Sequence, residues 1–445
     1  MSVSYYIETY GCQMNVADSE LIEGVLKEQG LILSHDINTA DVIMVNTCAV
    51  RDHAEAKVHT RLGQFHKIKR QRPDVLIGVL GCMAQHLKND LLENKPYVDI
   101  VLGPDSYRRL PEILRRKQEK KHIVDTKLSK YEVYDNLFPS RKEGINAWVS
   151  IMRGCDKFCT FCIVPFTRGR ERSRRIESIV HEVTKAVADG FVEVTLLGQN
   201  VNSFKTGDKQ FPDLLDSVAQ VPGLQRIRYT SPHPQDVDSE LLDVMAKHKN
   251  ICNSIHLPLQ AGSDRILKRM NRTYTKKHFM ALADQIRNNL PGVGISTDII
   301  VGFPGETEAE FQETLDVMHH VKFDSAFTFK YSSRPHTKAA EYTDHISEDV
   351  KQNRLERMIT LQKEHTLFRN QEVVGSVLSV MVEKESKRST DQWAGRTDSN
   401  KWVLFDKVNA SVKEIVSVKI NRAHGVSLHG SLVNKGVNDE VDKNI

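Results

Sequence analysis

Three short apolar runs alternate with helix patterns over the first 120 residues. The runs are YYIETY at 5–10, DVIMVNT at 41–47 and VLIGVLG at 75–81. A helix pattern follows the first run, with Asp18 as its expected cap and Gly30 as its expected end. Continuous apolar strands that alternate with helices are typical of a parallel sheet covered on both faces. We therefore predict an open parallel α/β sheet domain over residues 1–120.

Each of these three runs ends just before a cysteine, namely Cys12, Cys48 and Cys82. The carboxyl ends of parallel strands share one edge of a sheet, and ligands bind at that edge in open α/β folds. The spacing of about 35 residues carries no metal signal by itself, and three unrelated buried thiols remain an alternative at this point. The pattern nevertheless predicts that one sheet edge brings the three thiols together.

A second α/β region follows a polar, irregular segment at 121–146 that reads as a linker. Amphipathic helix patterns such as 308–321 separate its strand candidates, which are AWVSIMRG, FVEVTLLG, RIRYTS, SIHLPLQ, GISTDIIVG and SAFTFKYS. Six strand–helix units predict a partial (β/α)6 barrel over residues 147–371. The chemistry of such a barrel lies in the loops at the carboxyl ends of its strands.

The pattern changes again after residue 371. Short β-branched runs separated by turns follow, namely VGSVLSVMVE, WAGRTD, KWVLFD and IVSVKINRA. This pattern predicts a small antiparallel β-barrel over residues 372–435. A polar tail is expected at 436–445.

Length and charge narrow the class of protein. The chain has 445 residues, and two or three domains are expected because one core stops growing at roughly 250–300 residues. It contains no apolar run of about 18 residues and begins with no targeting pattern, so we expect a cytoplasmic protein with no membrane partner. The net charge is only +4, but residues 141–175 hold nine Lys or Arg and three Asp or Glu. This local excess favours an anionic partner.

Six of the seven cysteines fall into two groups of three. The odd total argues against a disulfide framework, and the leftover Cys252 is expected to be an ordinary buried thiol. The second group is Cys155, Cys159 and Cys162, in the spacing CxxxCxxC. Three thiolates on one loop favour an iron–sulfur cluster with one open iron, or zinc completed by a distant His or Cys.

The central motif, RGCDKFCTFC, resembles the signature of the radical S-adenosylmethionine (SAM) superfamily. The resemblance implies a [4Fe-4S] cluster on these cysteines whose open iron binds the amino and carboxylate groups of SAM. Reductive cleavage of SAM would then yield a deoxyadenosyl radical. A partial parallel barrel is also the fold that this superfamily implies.

Three N-terminal segments, YGCQMNVADSE, NTCAVRDHAEAK and GVLGCMAQ, resemble the methylthiotransferase family. This resemblance implies a second [4Fe-4S] cluster on Cys12, Cys48 and Cys82, and two SAM molecules per turnover. The sequence GCQMN at 11–15 resembles the branch that modifies isopentenylated adenosine in tRNA, and the C-terminal segment resembles the RNA-binding TRAM domain. The expected reaction adds sulfur and a methyl group at C2 of N6-isopentenyladenosine 37, beside the anticodon.

Alternative substrates are threonylcarbamoyl adenosine in tRNA or a ribosomal protein, and a non-catalytic iron–sulfur RNA-binding protein is the alternative from another class. The resemblance implies an enzyme with no catalytic residue beyond the cluster ligands. Expected partners are a tRNA anticodon stem-loop, a reductant such as flavodoxin or ferredoxin, and a sulfur donor or cluster carrier. We expect a monomer.

The motifs also predict contact residues. Expected cofactor-binding residues are Phe161, Gly198, Gln199, Asn200, Ser254, His256, Gln260, Gly302 and Glu306. Arginine and lysine suit phosphate contact, and the expected RNA-binding residues are Arg168, Arg170, Arg172, Lys384, Lys387, Arg388, Arg396 and Lys401. In YSSRPHTKAA, His336 and Lys338 replace residues of the family pattern Arg-Pro-Gly-Thr-Pro, which predicts a reshaped loop.

Overall fold

A computed structural model describes residues 3–48, 52–116, 122–387, 389–407 and 410–433. The chain forms two compact units. The first consists of Met1–Pro222 with Arg334–Ala340, and the second of Gly223–Ser333 with Glu341–Ile445. Within the described ranges, none of the helices is both long and apolar enough to cross a bilayer.

The first unit begins with a parallel sheet in the strand order β2-β1-β3-β4-β5-β6. Buried aliphatic side chains pack on both faces of this sheet, against the helices, as the continuous apolar runs predicted. The elements are β1 Ser4–Tyr10, α1 Gln13–Glu28, β2 Ile32–Leu33, β3 Val42–Thr47, α2 Asp52–Gln71, β4 Leu76–Gly81, α3 Cys82–Asn94, β5 Ile100–Leu102, α4 Leu110–Arg116 and β6 Ile123–Asp125.

Helix α1 begins five residues earlier than Asp18, so the predicted cap is wrong. Cys12 is the N-cap, and Asn15 completes a capping box by accepting from the Cys12 backbone N–H at 3.4 Å. Asp18 instead lies inside the helix and is fully buried. The end of the helix agrees with the sequence, because Gly30 follows it with a φ of +78°.

The segment that the sequence assigns to a linker packs against the first sheet. It supplies β6 as the sixth strand and buries Tyr134, whose hydroxyl donates to the carbonyl of Pro104 at 2.8 Å. The carbonyl of Phe138 lies so close to Gly24 that a Cβ there would approach it to 2.2 Å. The sequence did not predict these contacts, because the segment at 121–146 is polar in composition.

The remainder of the first unit carries the start of the second α/β region. Strands β7 and β10 pair in parallel, from Asn146 opposite Glu193 to Ser150 opposite Leu197. The short strands β8 and β9 pair in antiparallel fashion and flank the second cysteine group. The elements are β7 Asn146–Ser150, β8 Met152–Arg153, α5 Val164–Arg168, β9 Arg172–Ser173, α6 Ile176–Ala188, β10 Glu193–Leu197, β11 Lys205–Thr206, β12 Lys209–Gln210 and α7 Phe211–Ala219.

The second unit continues the alternation of strands and helices. Strands β14, β15 and β16 form a parallel sheet in that order, and α11 begins at the Thr307 capping box and spans the residues that its periodicity predicted. The elements are β13 Arg226–Tyr229, α8 Ser239–Lys247, β14 Ser254–His256, α9 Asp264–Arg269, α10 Lys276–Asn289, β15 Gly294–Val301, α11 Glu308–Val321, β16 Ser325–Lys330 and α12 Glu348–Gln371.

A closed five-stranded barrel ends the second unit, in the order β17-β18-β19-β21-β20. It is not wholly antiparallel, since β19 and β21 pair in parallel. Arg226 and Arg228 extend from β13 and donate to backbone carbonyls of Arg396 and Thr397, which fixes one end of the barrel. The strands are β17 Val377–Ser386, β18 Ser389–Thr397, β19 Trp402–Asp406, β20 Ile415–His424 and β21 Ser427–Leu432.

Candidate metal centres

The first cysteine group lies at one edge of the first sheet, as predicted. Cys12 and Cys48 follow the last residues of β1 and β3, and Cys82 follows β4. These three strands are neighbours in parallel register, with Tyr10 opposite Thr47 and Thr47 opposite Gly81. The backbone must approach closely here: a Cβ at Gly11 would lie 2.6 Å from Cys48 Cβ. Glycine at this position lets the thiols gather.

Local charge favours thiolate at this edge. The Cys48 thiol and the Arg168 guanidinium lower the pKa of Cys12 to about 5, against the opposing effect of burial. Burial raises the pKa of Cys82, although the Arg168 charge opposes that rise. Cys12 caps α1 and Cys82 begins α3, and helix N-termini stabilise negative charge.

The second cysteine group lies on the loop between β8 and α5. The Cys155 N–H donates to the carbonyl of Gly169 at 3.1 Å, and the Cys162 N–H donates to the carbonyl of Cys159 at 2.9 Å. Gly154 has a φ of +81°, and a Cβ there would lie 2.0 Å from the Arg170 carbonyl oxygen. The loop is therefore folded tightly around its cysteines, all three of which are half-buried.

The donor set of both groups fits an iron–sulfur cluster better than a single ion. Each group offers three thiols outside any disulfide, and thiolate is the ligand that such clusters use. Among the described residues, no three His, Cys, Asp or Glu side chains converge as the ligands of one metal ion do. A cubane holds its ligands further apart, so this spread is compatible with a cluster on each group.

A buried charge network lies beside both groups in the first unit. The two carboxylate oxygens of Asp18 accept from Arg153 and Arg168, the latter at 2.8 Å from Nη2 to Oδ2. The Tyr107 hydroxyl donates to Asp18 at 3.4 Å. Arg172 forms a buried pair with Asp105, with Nη1 at 3.0 Å. The network joins α1, β8 and α5 without presenting charge to solvent.

Four of the predicted cofactor-binding residues lie in the first unit. The Gln199 side-chain carbonyl accepts from the Gly154 N–H at 2.6 Å, which ties the turn after β10 to the cysteine loop. Gly198 packs so closely on Met152 that a Cβ would lie 2.7 Å from its Cγ. Asn200 is buried, and Phe161 is half-buried within the cysteine loop.

Ser254 and His256 lie on one face of the β14–β16 sheet. His256 Nδ1 hydrogen-bonds with Ser296 Oγ at 3.0 Å, and its Nε2 lies 3.2 Å from Asp298 Oδ2. Gln260 is buried with a φ of +67°, and its backbone N–H donates to the Asp298 carbonyl at 2.8 Å. Ser254 and His256 are therefore partly accessible to a ligand. Gln260 is buried, and its backbone is held by Asp298.

Gly302 and Glu306 form an internal turn, and the predicted cofactor contact of Glu306 stays a prediction. The Glu306 carboxylate accepts from the Gly302 N–H at 2.7 Å and from Arg354 Nη1 at 2.8 Å. Burial raises the pKa of Glu306 to about 7, although both partners lower it. Both hydrogen bonds go to Oε2 of the carboxylate.

Sequence reasoning missed two aromatic side chains on the β14–β16 face. Phe327 is 57% exposed and Phe329 is 45% exposed, and they alternate along β16 with the more covered Ala326 and Thr328. The Phe327 ring stands edge-on to His256, with centroids 5.9 Å apart. Two exposed phenylalanines at a spacing of two in SAFTFK were the available signal.

The structure corrects three of the predicted RNA contacts. Arg168 and Arg172 are buried on Asp18 and Asp105, and Lys401 forms a largely buried pair with Asp324. In each case a carboxylate already pairs with the positive charge that would otherwise bind a phosphate. These residues hold the fold together.

The other predicted RNA contacts remain accessible or lie elsewhere. Arg170 is 71% exposed, with Asp156 as its partner. Lys387 is exposed, and so is Lys384, whose Nζ stands 4.7 Å from the Trp402 ring centroid. Arg396 is less open, because it pairs with Glu383. Arg388 and the predicted tail lie outside the described residues.

His336 keeps a backbone that glycine favours. Its φ is +68°, so the loop retains the left-handed turn and the predicted reshaping is not needed to accommodate the side chain. The His336 ring stands edge-on to His86, with centroids 5.7 Å apart, and Lys338 begins a short 3-10 turn.

Family models match three parts of the chain. The Uncharacterized protein family UPF0004 matches residues 4–103, the Radical SAM superfamily matches 149–318, and the TRAM domain matches 371–433. Among solved structures, the radical SAM methyltransferase TsrM from Kitasatospora setae aligns with a TM-score of 0.60 at 14% identity, over 76% of this chain and 77% of TsrM. The cobalamin-dependent radical enzyme OxsB aligns with a TM-score of 0.56 at 12% identity, over 81% of this chain and 56% of OxsB. These likenesses show the fold.

Curated relatives match nearly the whole chain and share the name tRNA-2-methylthio-N(6)-dimethylallyladenosine synthase. The relative from Porphyromonas gingivalis is 47% identical over 96% of this chain and 94% of its own length. That from Carboxydothermus hydrogenoformans is 45% identical over 97% and 99%, respectively.

The fold and the cysteine loop define a radical SAM iron–sulfur enzyme with an RNA-binding type of C-terminal barrel. The similarity over nearly the full length of the chain identifies a more specific family within this class. The chain belongs to the tRNA-2-methylthio-N(6)-dimethylallyladenosine synthase family.

Proposed function

We propose that the protein adds sulfur and a methyl group at C2 of N6-isopentenyladenosine 37 in tRNA. It is an enzyme that transfers sulfur-containing groups and uses SAM and [4Fe-4S] clusters. The observation that carries the proposal is the presence of two cysteine groups in one compact unit, each offering three thiols outside any disulfide. Three ligands on a cubane leave one iron free for an outside ligand.

The two groups divide the chemistry. Cys155, Cys159 and Cys162 would hold the cluster that binds SAM, and Cys12, Cys48 and Cys82 the cluster that carries sulfur. When bound, the clusters and SAM supply the radical that removes hydrogen from C2 and the methylthio group that replaces it. Carbon 2 of the adenine ring has no acidic proton and no leaving group, so acid–base catalysis by side chains offers no comparable route.

The protein's own residues hold and orient these groups. Gln199 and Gly154 fix the turn after β10 against the cysteine loop, and the two glycines Gly11 and Gly154 permit tight backbone turns beside the thiols. Ser254 and His256 are proposed SAM contacts, since both are half-exposed on one sheet face. Asp298 holds His256 by its Nε2 and thereby sets the ring orientation.

RNA recognition is assigned to the exposed cations. Lys384 and Lys387 on the C-terminal barrel and Arg170 beside the cysteine loop are accessible to phosphate. The target base must be unpaired and splayed to reach a reactive centre, as single-stranded RNA targets are. We place the protein in the cytoplasm as a monomer, with a flavodoxin- or ferredoxin-type reductant and a sulfur donor or cluster carrier as partners.

The test is nucleoside analysis of tRNA from cells that lack the gene. Methylthio-isopentenyladenosine should disappear and isopentenyladenosine should accumulate. The wild-type gene and a Cys252→Ala gene should both restore the modification, because Cys252 is a buried thiol of the second compact unit and belongs to neither group. The Cys12→Ala and Cys155→Ala genes should not restore it. Unchanged methylthio-isopentenyladenosine in the deletion strain would refute the proposal.

A further inference from the structure

Two phenylalanines on β16 present their rings to solvent from the β14–β16 sheet. Phe327 is 57% exposed and Phe329 is 45% exposed, and both belong to the row of exposed positions that alternates along the strand. Burial of apolar surface is the main favourable contribution to folding, so two neighbouring rings left uncovered forgo stabilisation. Contiguous exposed apolar side chains of this kind mark binding sites.

The aromatic pair, defined here as Phe327 and Phe329, has one polar and one apolar neighbour on β15. Phe327 lies opposite Asp298 in the parallel register, and Phe329 lies opposite Ile300. Side chains that are in register or two residues apart share one face of a sheet. Phe329 and the half-buried Ile300 therefore form an apolar area toward the carboxyl ends of their strands, which is the end of a parallel barrel where the chemistry lies.

The aromatic pair is continuous with the proposed SAM contacts. The Phe327 ring stands edge-on to His256, with centroids 5.9 Å apart, and Asp298 and Ser296 hold His256 in place. For hydrogen transfer, C2 of the target adenine must come within about 3–3.5 Å of the radical carbon of the adenosyl group. A base in that position also meets the side chains that adjoin SAM, and the aromatic pair is among them.

We propose that Phe327 and Phe329 bind the isopentenyl group of the target adenosine and thereby determine the preference for isopentenylated tRNA. This inference rests on the proposed function, because it requires isopentenyladenosine 37 as the substrate. The isopentenyl group is a branched hydrocarbon that offers only apolar contact, and its transfer from water onto aromatic rings is favourable.

Phosphate contacts cannot supply this preference. They are the same in tRNA with and without the isopentenyl group, and they carry affinity that does not depend on the base. The difference in affinity must come from side chains that touch the N6 substituent. Loss of the aromatic pair therefore lowers the affinity for isopentenylated RNA and changes that for unmodified RNA much less.

The experiment uses the full-length holoenzyme with SAM and without reductant, so that no radical forms. Two synthetic anticodon stem-loops, with N6-isopentenyladenosine or adenosine at the target position, are compared by anaerobic fluorescence anisotropy. The preference is the ratio of their two Kd values. It should fall about tenfold or more in Phe327→Ala with Phe329→Ala, as expected when several carbons lose apolar contact. Phe368→Ala is the matched control, because Phe368 is 41% exposed on α12, and it should keep the preference.

An unchanged preference in the double variant, at wild-type iron content, would overturn the inference. If the KM for SAM in deoxyadenosine formation without RNA also rises, that result assigns the rings to SAM. If the double variant does not fold, the two single variants decide: a lower preference in either supports the inference, and an unchanged preference in both overturns it. A wild type that binds both stem-loops equally would also overturn it, whereas the proposed function would still be decided by nucleoside analysis of tRNA.

Discussion

At the scale of single residues, the main determinant is where buried charges find partners. Arg168, Arg172 and Lys401 resemble solvated or phosphate-binding cations in the sequence, but their carboxylate partners fold onto them from distant segments. Arg168 meets Asp18 from 150 residues away, and no local pattern reports such a pairing. Arg170 lies only two residues after Arg168 in the same basic segment, yet its side chain is exposed and not buried.

Arg354 supplies the first prediction. It is buried and pairs with Glu306, so Arg354→Met leaves a buried carboxylate without its cation. We expect a loss of about 3–5 kcal/mol in the free energy of unfolding. Arg357→Met is the control. The Arg357 side chain is 40% exposed and pairs with Glu308, and exposed ion pairs contribute about 1 kcal/mol or less to stability. Urea unfolding at pH 9, above the pKa of about 7 that burial gives Glu306, measures both variants, and equal losses would be evidence against this pairing.

His365 supplies a pH prediction. Burial and the neighbouring His319 lower its pKa to about 4, whereas an unfolded histidine titrates near 6.5. The unfolded chain binds more protons between these values, so stability falls as pH drops from 6.5 towards 4. His365→Gln should flatten this part of the stability profile in urea unfolding, and His278→Gln, at an exposed position on α10, should leave the slope unchanged. A slope that persists in His365→Gln would be evidence against the assignment.

At the scale of elements, sequence patterns placed most of the strands and the edge that gathers the first cysteine group. Continuous apolar runs fix a buried parallel strand, and parallel strands must end at one edge, so Cys12, Cys48 and Cys82 could be placed together. The start of α1 was missed because Cys12 is an uncommon helix cap. The sequence pointed to Ser254 and His256 on the β14–β16 face but not to Phe327. The exposure of Phe327 depends on tertiary packing, which the local pattern does not report.

His256 tests the function of that face. His256→Ala removes a half-exposed ring that Asp298 and Ser296 hold in place, while little buried area is lost. We expect the KM for SAM in anaerobic deoxyadenosine formation to rise about tenfold, as for one lost hydrogen bond to a charged ligand, with unchanged iron content. Thr328→Ala, on the opposite face of β16, is the control. An unaltered KM in His256→Ala would remove His256 from the SAM site.

At the scale of the whole molecule, full-length similarity joins three matched regions into one enzyme family. The three-part division, drawn from changes of periodicity near residues 120 and 371, stays a prediction, since the first compact unit ends at Pro222, inside the predicted second domain. The anchors between parts were not predicted: β6 and Tyr134 tie the intervening segment to the first sheet, and Arg226 and Arg228 fix the small barrel within the second unit. Such anchors use carbonyl acceptors, which every residue carries.

Salt dependence of tRNA binding separates RNA contacts from structural cations. Lys384→Ala with Lys387→Ala should weaken binding and reduce the slope of log affinity against log salt by about one for each lost phosphate contact. Lys401→Met should lower stability instead, because it leaves Asp324 without its buried partner, and should keep the slope. Filter binding at several salt concentrations gives both values. A reduced slope in Lys401→Met would contradict this division.

Six thiolates are proposed to hold two clusters, each with an open iron. Iron and sulfide are best counted in anaerobically reconstituted wild type, Cys12→Ala, Cys155→Ala and the Cys252→Ala control. We expect about eight iron atoms per chain in the wild type and in Cys252→Ala, and about four in each of the other variants. Full iron in Cys12→Ala, or loss of all iron from either variant, would contradict this proposal.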